Sequence, residues 1–304
     1  MSDPEPIAHG HVPVMLSEVM QLLNPRPGET IVDATVGCGG HAEAIQRALG
    51  ETGRLIGVDR DPAMAERARE RLADTGHPAT CVLNNSFSEL NEILAGQACL
   101  ADGILLDLGV ASPQIDDGER GFSYRADGPL DMRMSPDGGS ALDWINSAPE
   151  KEIADVLYQY GDERHSRRIA RAVVRSRRET RIRRTVELAE IIRRAAPRGA
   201  RRLHPARRSF QAIRIYINRE MDHLERFLNI LPGLLNTDGR CVVISYHSLE
   251  DRRVKNAFRD GKRAGQYDVL TRKPLRPSDA EVRANPRSRS ARVRAIRRRS
   301  GGTE

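Results

Sequence analysis

The sequence has no long apolar segment and no secretion signal. No run of about 18 apolar residues, the length that a transmembrane helix needs, occurs among its 304 residues. The opening Met1-Ser-Asp-Pro-Glu-Pro6 has neither the basic start nor the apolar stretch of a signal peptide. We therefore expect a soluble, cytoplasmic protein that does not engage a membrane.

Cysteine is scarce, and its positions share no spacing that binds a metal. The four residues are Cys38, Cys81, Cys99 and Cys241, and no two of them form a Cys-x-x-Cys pair. Such scatter favours neither a zinc site nor a disulfide framework. We expect four reduced thiols and no metal ion.

Positive charge, by contrast, is abundant in one region. The chain carries a net +7, but 17 arginines against three glutamates between Arg164 and Arg208 give +14 there, so the rest of the chain is acidic at −7. Arginine presents a planar fork that matches phosphate. The cluster favours a polyanionic partner, and the alternative is a solvated helix face in a chain that prefers arginine throughout.

Short apolar runs alternate with helical stretches from residue 30 to 107, the pattern of a parallel sheet with crossover helices. The predicted strands are 31–35, 54–59, 80–83 and 103–108, with a further strand at 241–246. Helical spacing without strands between 142 and 196 indicates an inserted all-helical domain. The eight arginines of segment 283–299 predict either a disordered basic tail or an edge strand that orders on RNA.

A glycine-rich turn follows the first predicted strand, in Asp33-Ala-Thr-Val-Gly-Cys-Gly-Gly-His41. Such a turn lets the backbone approach a nucleotide closely. Asp59 ends the second predicted strand, where a carboxylate accepts hydrogen bonds from ribose hydroxyls. Because Gly37, Gly39 and Ala42 also fit G-x-G-x-x-A, the turn is compatible with a nicotinamide dinucleotide as well as with S-adenosylmethionine.

Two acidic positions favour S-adenosylmethionine. Asp33 stands immediately before the turn, where it would repel a pyrophosphate but attract a cationic amino group. The fourth predicted strand ends in Asp107-Leu-Gly-Val-Ala-Ser-Pro-Gln114, an acidic-then-proline segment similar to those that hold the acceptor base in amino-methyltransferases. The alternative interpretation of Asp107 is a structural one, as a cap of a turn or helix. For Phe87 the two interpretations are stacking on adenine and packing in the core.

Together these segments resemble one family, the bacterial small-subunit (16S) rRNA cytosine-N4 methyltransferases. The resemblance spans nearly the whole chain, and Val36 and Cys38 are small departures within the glycine turn. The segments that carry it, in order, are His11-Val-Pro-Val-Met-Leu16, the turn Asp33–His41, Gly103-Ile-Leu-Leu-Asp-Leu-Gly-Val-Ala-Ser-Pro-Gln114, Arg120-Gly-Phe-Ser123, Gly128-Pro-Leu-Asp-Met-Arg-Met134, Ser209-Phe-Gln-Ala-Ile-Arg-Ile-Tyr-Ile-Asn-Arg-Glu220, Ser245-Tyr-His-Ser-Leu-Glu-Asp-Arg252 and Asn285-Pro-Arg-Ser-Arg-Ser290.

The resemblance implies a Rossmann-like α/β methyltransferase domain, formed by 1–112 and 209–304, that is interrupted by a helical substrate-recognition domain at 113–208. It implies methylation of the N4 amine of cytosine 1402 of 16S rRNA, within the small ribosomal subunit. The resemblance leaves the oligomeric state undetermined, and a homodimer is possible. The cofactor-binding residues that it implies for S-adenosylmethionine are Gly39, Gly40, His41, Asp59, Phe87, Asp107 and Gln114.

The chemistry requires an acceptor for an N–H of the cytosine amine, whose lone pair is conjugated with the ring. We assign this function to Asp107 or to a carbonyl in the segment Ser112-Pro113-Gln114. An unstacked base also needs an aromatic clamp. The two candidate pairs are Tyr246 with His247 and Phe122 with Tyr124, and Arg207 and Arg208 are candidate phosphate contacts. His247 is equally compatible with a structural role, and 248–251 has the pattern of a capping box.

Three other functions compete with this hypothesis. A nicotinamide-dependent oxidoreductase would explain the glycine turn but not the basic insertion. A non-catalytic RNA-binding or assembly protein that retained a cofactor fold is a second alternative. A DNA cytosine methyltransferase would use the same chemistry on another nucleic acid.

Overall fold

Continuous apolar runs form the strands of a central sheet in the computed structural model, which describes residues 13–73, 79–196 and 204–300. Ile31 and Val32 in the first strand and Leu55 and Ile56 in the second are fully buried. Burial on both faces is typical of parallel sheets covered by helices. The strands are β1 (Thr30–Asp33), β2 (Arg54–Asp59), β3 (Thr80–Asn84), β4 (Ala101–Asp107), β5 (Leu235–Ser245), β6 (Tyr267–Val269) and β7 (Arg292–Arg298).

The sheet has the order β3-β2-β1-β4-β5-β7-β6. The first five strands in this order are parallel, and β7 is antiparallel to both of its neighbours. The connections reverse direction between β1 and β4. In open α/β sheets, ligands bind beyond the carboxyl ends of the strands at such a switch point. The predicted Rossmann-like sheet is confirmed.

Helices flank the sheet, and the described chain divides into two compact units. The first unit comprises the chain up to Gly109 and from Asp222 onward, and the second is Val110–Met221. The helices are α1 (Leu16–Leu23), α2 (Gly40–Leu49), α3 (Pro62–Ala73), α4 (Leu90–Gly96), α5 (Ser112–Asp116), α6 (Ala141–Ser147), α7 (Glu150–Gly161), α8 (Ser166–Glu179), α9 (Thr185–Ala195), α10 (Ala206–Ile217), α11 (Glu220–Leu234), α12 (Ser248–Arg263) and α13 (Asp279–Ala284).

The first unit has its core between the sheet and α1, α2 and α3. Leu23, Ile45 and Leu49 are fully buried there against strand residues such as Ile31 and Leu105. Four of the five predicted strands lie within two residues of their predicted bounds, whereas β5 begins at Leu235, six residues before the predicted start at 241. Neither α1 nor the three-residue strand β6 was predicted.

The second unit is helical and has a separate core. Ile153 and Leu157 of α7 pack in one cluster with Ile169 of α8, Leu188 of α9 and Phe210 of α10. Because Phe210 and Ile213 both belong to this core, the unit extends to Met221, past the boundary expected after residue 208. It also begins at Val110 rather than at residue 113.

The arginine-rich segment near the end of the chain is neither a tail nor an edge strand. Segment Arg292–Arg298 is β7, an inner strand with β5 on one side and β6 on the other. Val293 and Ala295 are fully buried, whereas Arg294 on the opposite face binds the carboxylate of Asp251 on α12 through its Nε at 2.6 Å. The arginine content conceals a strand whose alternate residues are small and apolar.

The described residues contain no helix that is long and apolar enough to cross a membrane. All four cysteines are free thiols, and only Cys241 is buried.

Candidate active site

The turn between β1 and α2 depends on two glycines in the left-handed region of backbone conformation. Gly37 has a φ of 52° and Gly39 a φ of 79°, which side-chain-bearing residues adopt only with strain. A Cβ at Gly39 would lie 3.4 Å from Cδ of Arg71 and 3.6 Å from Cα of Ala68 on α3. The turn therefore packs closely against α3.

Asp59 connects the end of β2 to this turn. Its Oδ2 accepts a hydrogen bond from the Gly37 amide at 2.9 Å, and its Oδ1 accepts one from the Asp61 amide at 2.9 Å. Burial raises the pKa of Asp59 to about 6, although both amide bonds lower it. Each carboxylate oxygen has a second lone pair, so Asp59 can still accept bonds from a ribose.

Asp33 ends β1 and is almost wholly buried, with 1% of its surface exposed. Its Oδ1 accepts a hydrogen bond from the Thr35 amide at 3.3 Å. Burial raises its pKa to about 8, and the negative charges of Asp107 and Asp59 add to this rise. A positive charge near this edge of the sheet would stabilise the ionised form of Asp33.

Asp107 ends β4, and hydrogen bonds hold both its backbone amide and its carboxylate. Its amide donates a hydrogen bond to Oγ1 of Thr35 at 2.6 Å, and its Oδ1 accepts one from the Tyr246 hydroxyl at 2.8 Å. Burial raises the pKa of Asp107 to about 7, whereas the bond from Tyr246 lowers it. A carboxyl group with a pKa near neutrality can both accept and release a proton at physiological pH.

His41 faces the second oxygen of Asp107 from the first turn of α2. Its Nε2 lies 3.0 Å from the Val14 carbonyl oxygen, and its Nδ1 lies 3.8 Å from Oδ2 of Asp107. A carbonyl only accepts, so Nε2 carries a hydrogen, which directs Nδ1 toward the carboxyl group. Val14 belongs to the segment His11–Leu16 that resembles the family, and this contact orients the His41 ring. Residues 11 and 12 lie outside the part of the chain that the structure describes.

Phe87 lies in a short 3-10 helix after β3 and is half-buried. Its ring makes edge contacts with Phe227, at 5.9 Å between centroids, and with His223, at 6.2 Å. Nδ1 of His223 in turn lies 2.8 Å from the Ser88 hydroxyl and 3.1 Å from the Ser86 hydroxyl. No local sequence pattern indicates that α11 supports this aromatic residue.

The other predicted cofactor and acceptor residues belong to the second unit. Oε1 of Gln114 accepts a hydrogen bond from the Ala111 amide at 2.8 Å and thereby caps the short helix α5, which begins with Ser112 and Pro113. The Gln114 side chain is buried. The roles of Ser112, Pro113 and Gln114 toward cofactor and substrate stay predictions.

The predicted base clamps have distinct surroundings. Phe122 belongs to the core of the second unit, and Tyr124 stacks on His204 with 4.8 Å between ring centroids. In the first unit, the Tyr246 ring lies beside Gly109, whose added Cβ would be 3.5 Å from its Cδ2. His247 precedes α12, where its Nδ1 accepts from the Glu250 amide at 3.4 Å.

The predicted capping box at α12 begins one residue earlier than the sequence suggested. His247 is the N-cap, and the Glu250 side chain accepts hydrogen bonds from the amides of Tyr246 and His247 at 2.8 and 3.2 Å. Arg207 and Arg208 are exposed at the start of α10, and Arg208 donates to the Asp162 carbonyl at 3.2 Å.

The residues at the sheet edge fit S-adenosylmethionine. Asp33, Asp59 and Asp107 end three parallel strands, and burial raises the pKa of each of them. S-adenosylmethionine has a sulfonium and an ammonium group, either of which would offset this negative charge, whereas a dinucleotide pyrophosphate would add to it. The site and the sheet with its antiparallel β7 define the class of protein, a Rossmann-like S-adenosylmethionine-dependent methyltransferase.

Within this class, the chain belongs to the MraW methylase family, whose profile it matches over residues 8–299. It is 48% identical to the Ribosomal RNA small subunit methyltransferase H of Acidobacterium capsulatum, over 95% of this chain and 98% of that protein. The protein of the same name from Koribacter versatilis is 46% identical, over 95% of this chain and 94% of its own length. The family resolves the ambiguity of the glycine turn in favour of a methyl donor.

Proposed function

We propose that this chain transfers a methyl group from S-adenosylmethionine to the N4 amine of cytosine 1402 of 16S rRNA, in the decoding region of the small ribosomal subunit and in the cytoplasm. The observation that carries the proposal is the near full-length similarity to relatives whose name states a ribosomal RNA small-subunit substrate. The resemblance to the cytosine-N4 family supplies the base and the atom.

In this proposal, Asp59 binds the ribose of the cofactor, and Gly39, Gly40 and His41 form the turn beside it. Phe87 contacts the adenine, and Gln114 contacts the methionine end. When bound, the cofactor supplies a methyl group on a positively charged sulfur. The protein has to align the amine with that methyl group at about 3 to 3.5 Å.

Asp107 is the proposed acceptor for an N–H of the cytosine amine. As the amine attacks, it becomes cationic and must release a proton, and a carboxylate with a pKa of about 7 can take it. The Tyr246 hydroxyl donates to Oδ1 of Asp107 at 2.8 Å, and Oδ2, which Nδ1 of His41 faces at 3.8 Å, is the proposed acceptor for the base. Carbonyls of Ser112 and Pro113 are the proposed second acceptors, and the Tyr246 ring is the proposed base clamp.

The decisive experiment maps the methylation of 16S rRNA from strains with and without the gene, and then incubates the purified protein with tritiated cofactor and small subunits from the deletion strain. We expect loss of one N4-methyl group at cytosine 1402 in the deletion strain and its restoration in vitro. An unchanged methylation pattern, together with no label transfer, would indicate a non-catalytic RNA-binding protein instead.

Two further measurements address the remaining alternatives. Side-by-side assays with rRNA and cytosine-containing DNA test the acceptor, and we expect transfer only to rRNA. Calorimetry with NADH and with S-adenosylhomocysteine tests the cofactor, and binding of NADH alone would refute the proposal. Analytical ultracentrifugation of the same preparation decides between a monomer and a homodimer.

A further inference from the structure

Helix α8 of the second unit is unusually rich in arginine. Its 14 residues include six arginines and a single acid, Glu179. One of the six, Arg177, has a structural role, since its guanidinium donates to the carbonyls of Ile145 and Ala148, both at 2.7 Å, at the end of α6. The other five are exposed.

Four of the exposed arginines share one face of the helix. Arg168, Arg171, Arg175 and Arg178 are separated by three, four and three residues, the spacing that aligns side chains along an α-helix. The buried residues of α8, among them Ile169 and Val173, have other positions in this repeat and form the opposite face. We call these four side chains the α8 arginine face.

The α8 arginine face has few acidic neighbours. Among the described residues, no carboxylate lies within 4 Å of Arg168, Arg175 or Arg178, and the carboxylate nearest to Arg171, that of Glu150, is 3.8 Å away. Several arginines on other helices have an acidic partner on their own helix. Arg193 and Arg194 of α9 both lie 2.6 Å from Glu190, and Arg259 and Arg263 of α12 lie 2.9 and 3.8 Å from Asp260.

Like charges three and four residues apart repel each other and destabilise a helix. A bound polyanion would neutralise these charges and remove the repulsion, which would explain why the helix carries them. From Arg168 to Arg178 the helix rises about 15 Å, and each strand of a nucleic-acid duplex carries a charge about every 3.4 Å along its axis. A straight row of guanidinium groups of that length can contact several phosphates at once.

We propose that the α8 arginine face binds the phosphate backbone of the rRNA substrate. This inference rests on the proposed function and identifies which part of the basic cluster holds the RNA. Arginine matches phosphate through two parallel hydrogen bonds, and contacts of this kind fix the orientation of the enzyme without reading the sequence. The base is then selected in the first unit, beside Asp107.

The test compares Arg175→Gln/Arg178→Gln with a matched control, Arg259→Gln/Arg263→Gln. Both pairs are exposed on a helix and both remove two charges, but the control pair has an acidic partner. Binding of protein-free 16S rRNA is measured by filter retention over a range of salt concentrations. We expect the α8 variant to bind about tenfold more weakly at 150 mM salt and its log–log salt slope to fall by about 1.4, and the control to change less than twofold.

Activity on small subunits separates this inference from the proposed function. We expect KM for the subunits to rise about tenfold in the α8 variant while kcat and the affinity for S-adenosylhomocysteine stay unchanged. Arg175→Lys/Arg178→Lys, which keeps the charge, should retain most of the affinity. Circular dichroism and the Tm verify that every variant is folded.

Equal RNA affinity of the α8 variant and the wild type would overturn the inference, even if the wild type methylates subunits normally. Weaker binding to subunits with unchanged binding to protein-free rRNA would also overturn it, because the α8 arginine face would then contact a ribosomal protein. A wild type that transfers no methyl group, but whose rRNA affinity depends on Arg175 and Arg178, would refute the proposed function alone.

Discussion

At the scale of single residues, Asp59 combines a structural and a proposed functional role. Its carboxylate holds the Gly37 amide and the Asp61 amide. Asp59→Asn retains an acceptor for one of these amides but loses the charge, and Asp59→Ala loses both. We expect both variants to bind S-adenosylhomocysteine about 10- to 100-fold more weakly, with the larger loss for alanine, since hydrogen bonds to a charged group contribute about 1.5 to 3 kcal/mol.

Calorimetric titration measures this loss, and binding of 16S rRNA serves as the control that should not change. Unaltered cofactor affinity in Asp59→Ala would exclude the ribose role.

Tyr246 influences the pKa of Asp107 through a hydrogen bond. The hydroxyl of Tyr246 lowers the pKa of Asp107, which burial has raised to about 7. Tyr246→Phe keeps the ring but removes this donor, so the pKa of Asp107 rises further and a smaller fraction is ionised at neutral pH. If Asp107 must be ionised to accept the proton, the acid limb of the pH–rate profile moves to higher pH, with a several-fold loss of rate near pH 6.5.

Single-turnover rates from pH 5.5 to 9 test this shift. A stacking role alone would leave the acid limb where it is in the wild type, and Tyr246→Leu, which also removes the ring, should additionally raise KM for the subunits.

At the scale of secondary-structure elements, β7 is held to α12 through Asp251. Burial raises the pKa of this carboxylate, but the hydrogen bond from Arg294 and the charges of Arg294 and Arg292 hold it below its usual value overall. Arg294→Gln should lower the free energy of unfolding by about 2 kcal/mol near pH 7. Arg299→Gln, on an exposed side chain in the same segment, should change it by less than about 0.5 kcal/mol.

Urea denaturation of both variants measures the difference. Because the folded-state pKa of Asp251 is lowered, this contribution is present above the unfolded pKa of 3.8 and disappears as the pH falls through the folded-state pKa. A loss in Arg294→Gln no larger than that in Arg299→Gln would show that the ion pair does not stabilise β7.

The elements also show what the sequence could predict. The buried strands β1, β2 and β4 are largely continuous apolar runs, and such runs can be recognised in a single sequence. β7 was misread because Arg292, Arg294 and Arg297 dominate its composition, and only the packing shows that Val293 and Ala295 face the core. The contact between Tyr246 and Asp107 joins residues 139 positions apart, and no local pattern encodes such a pair.

At the scale of the whole molecule, the proposals assign most of the cofactor contacts to the first unit and the RNA backbone to the second. Hydrogen–deuterium exchange tests this assignment on the full chain. We expect S-adenosylhomocysteine to slow exchange in the glycine turn and at the end of β2, and 16S rRNA to slow it in α8. Protection of α8 by the cofactor alone, or of neither segment by its ligand, would contradict the assignment.

The bond between Asp59 and the Gly37 amide has a further consequence for the kinetics of cofactor binding. Since this bond closes the glycine turn within the protein itself, the turn is preorganised and a ligand need not order it on arrival. If the cofactor binds at this turn as proposed, less conformational entropy is lost on binding, and we expect diffusion into the site, rather than folding of a loop, to set the association rate. The turn would then have the same conformation before and after the cofactor binds.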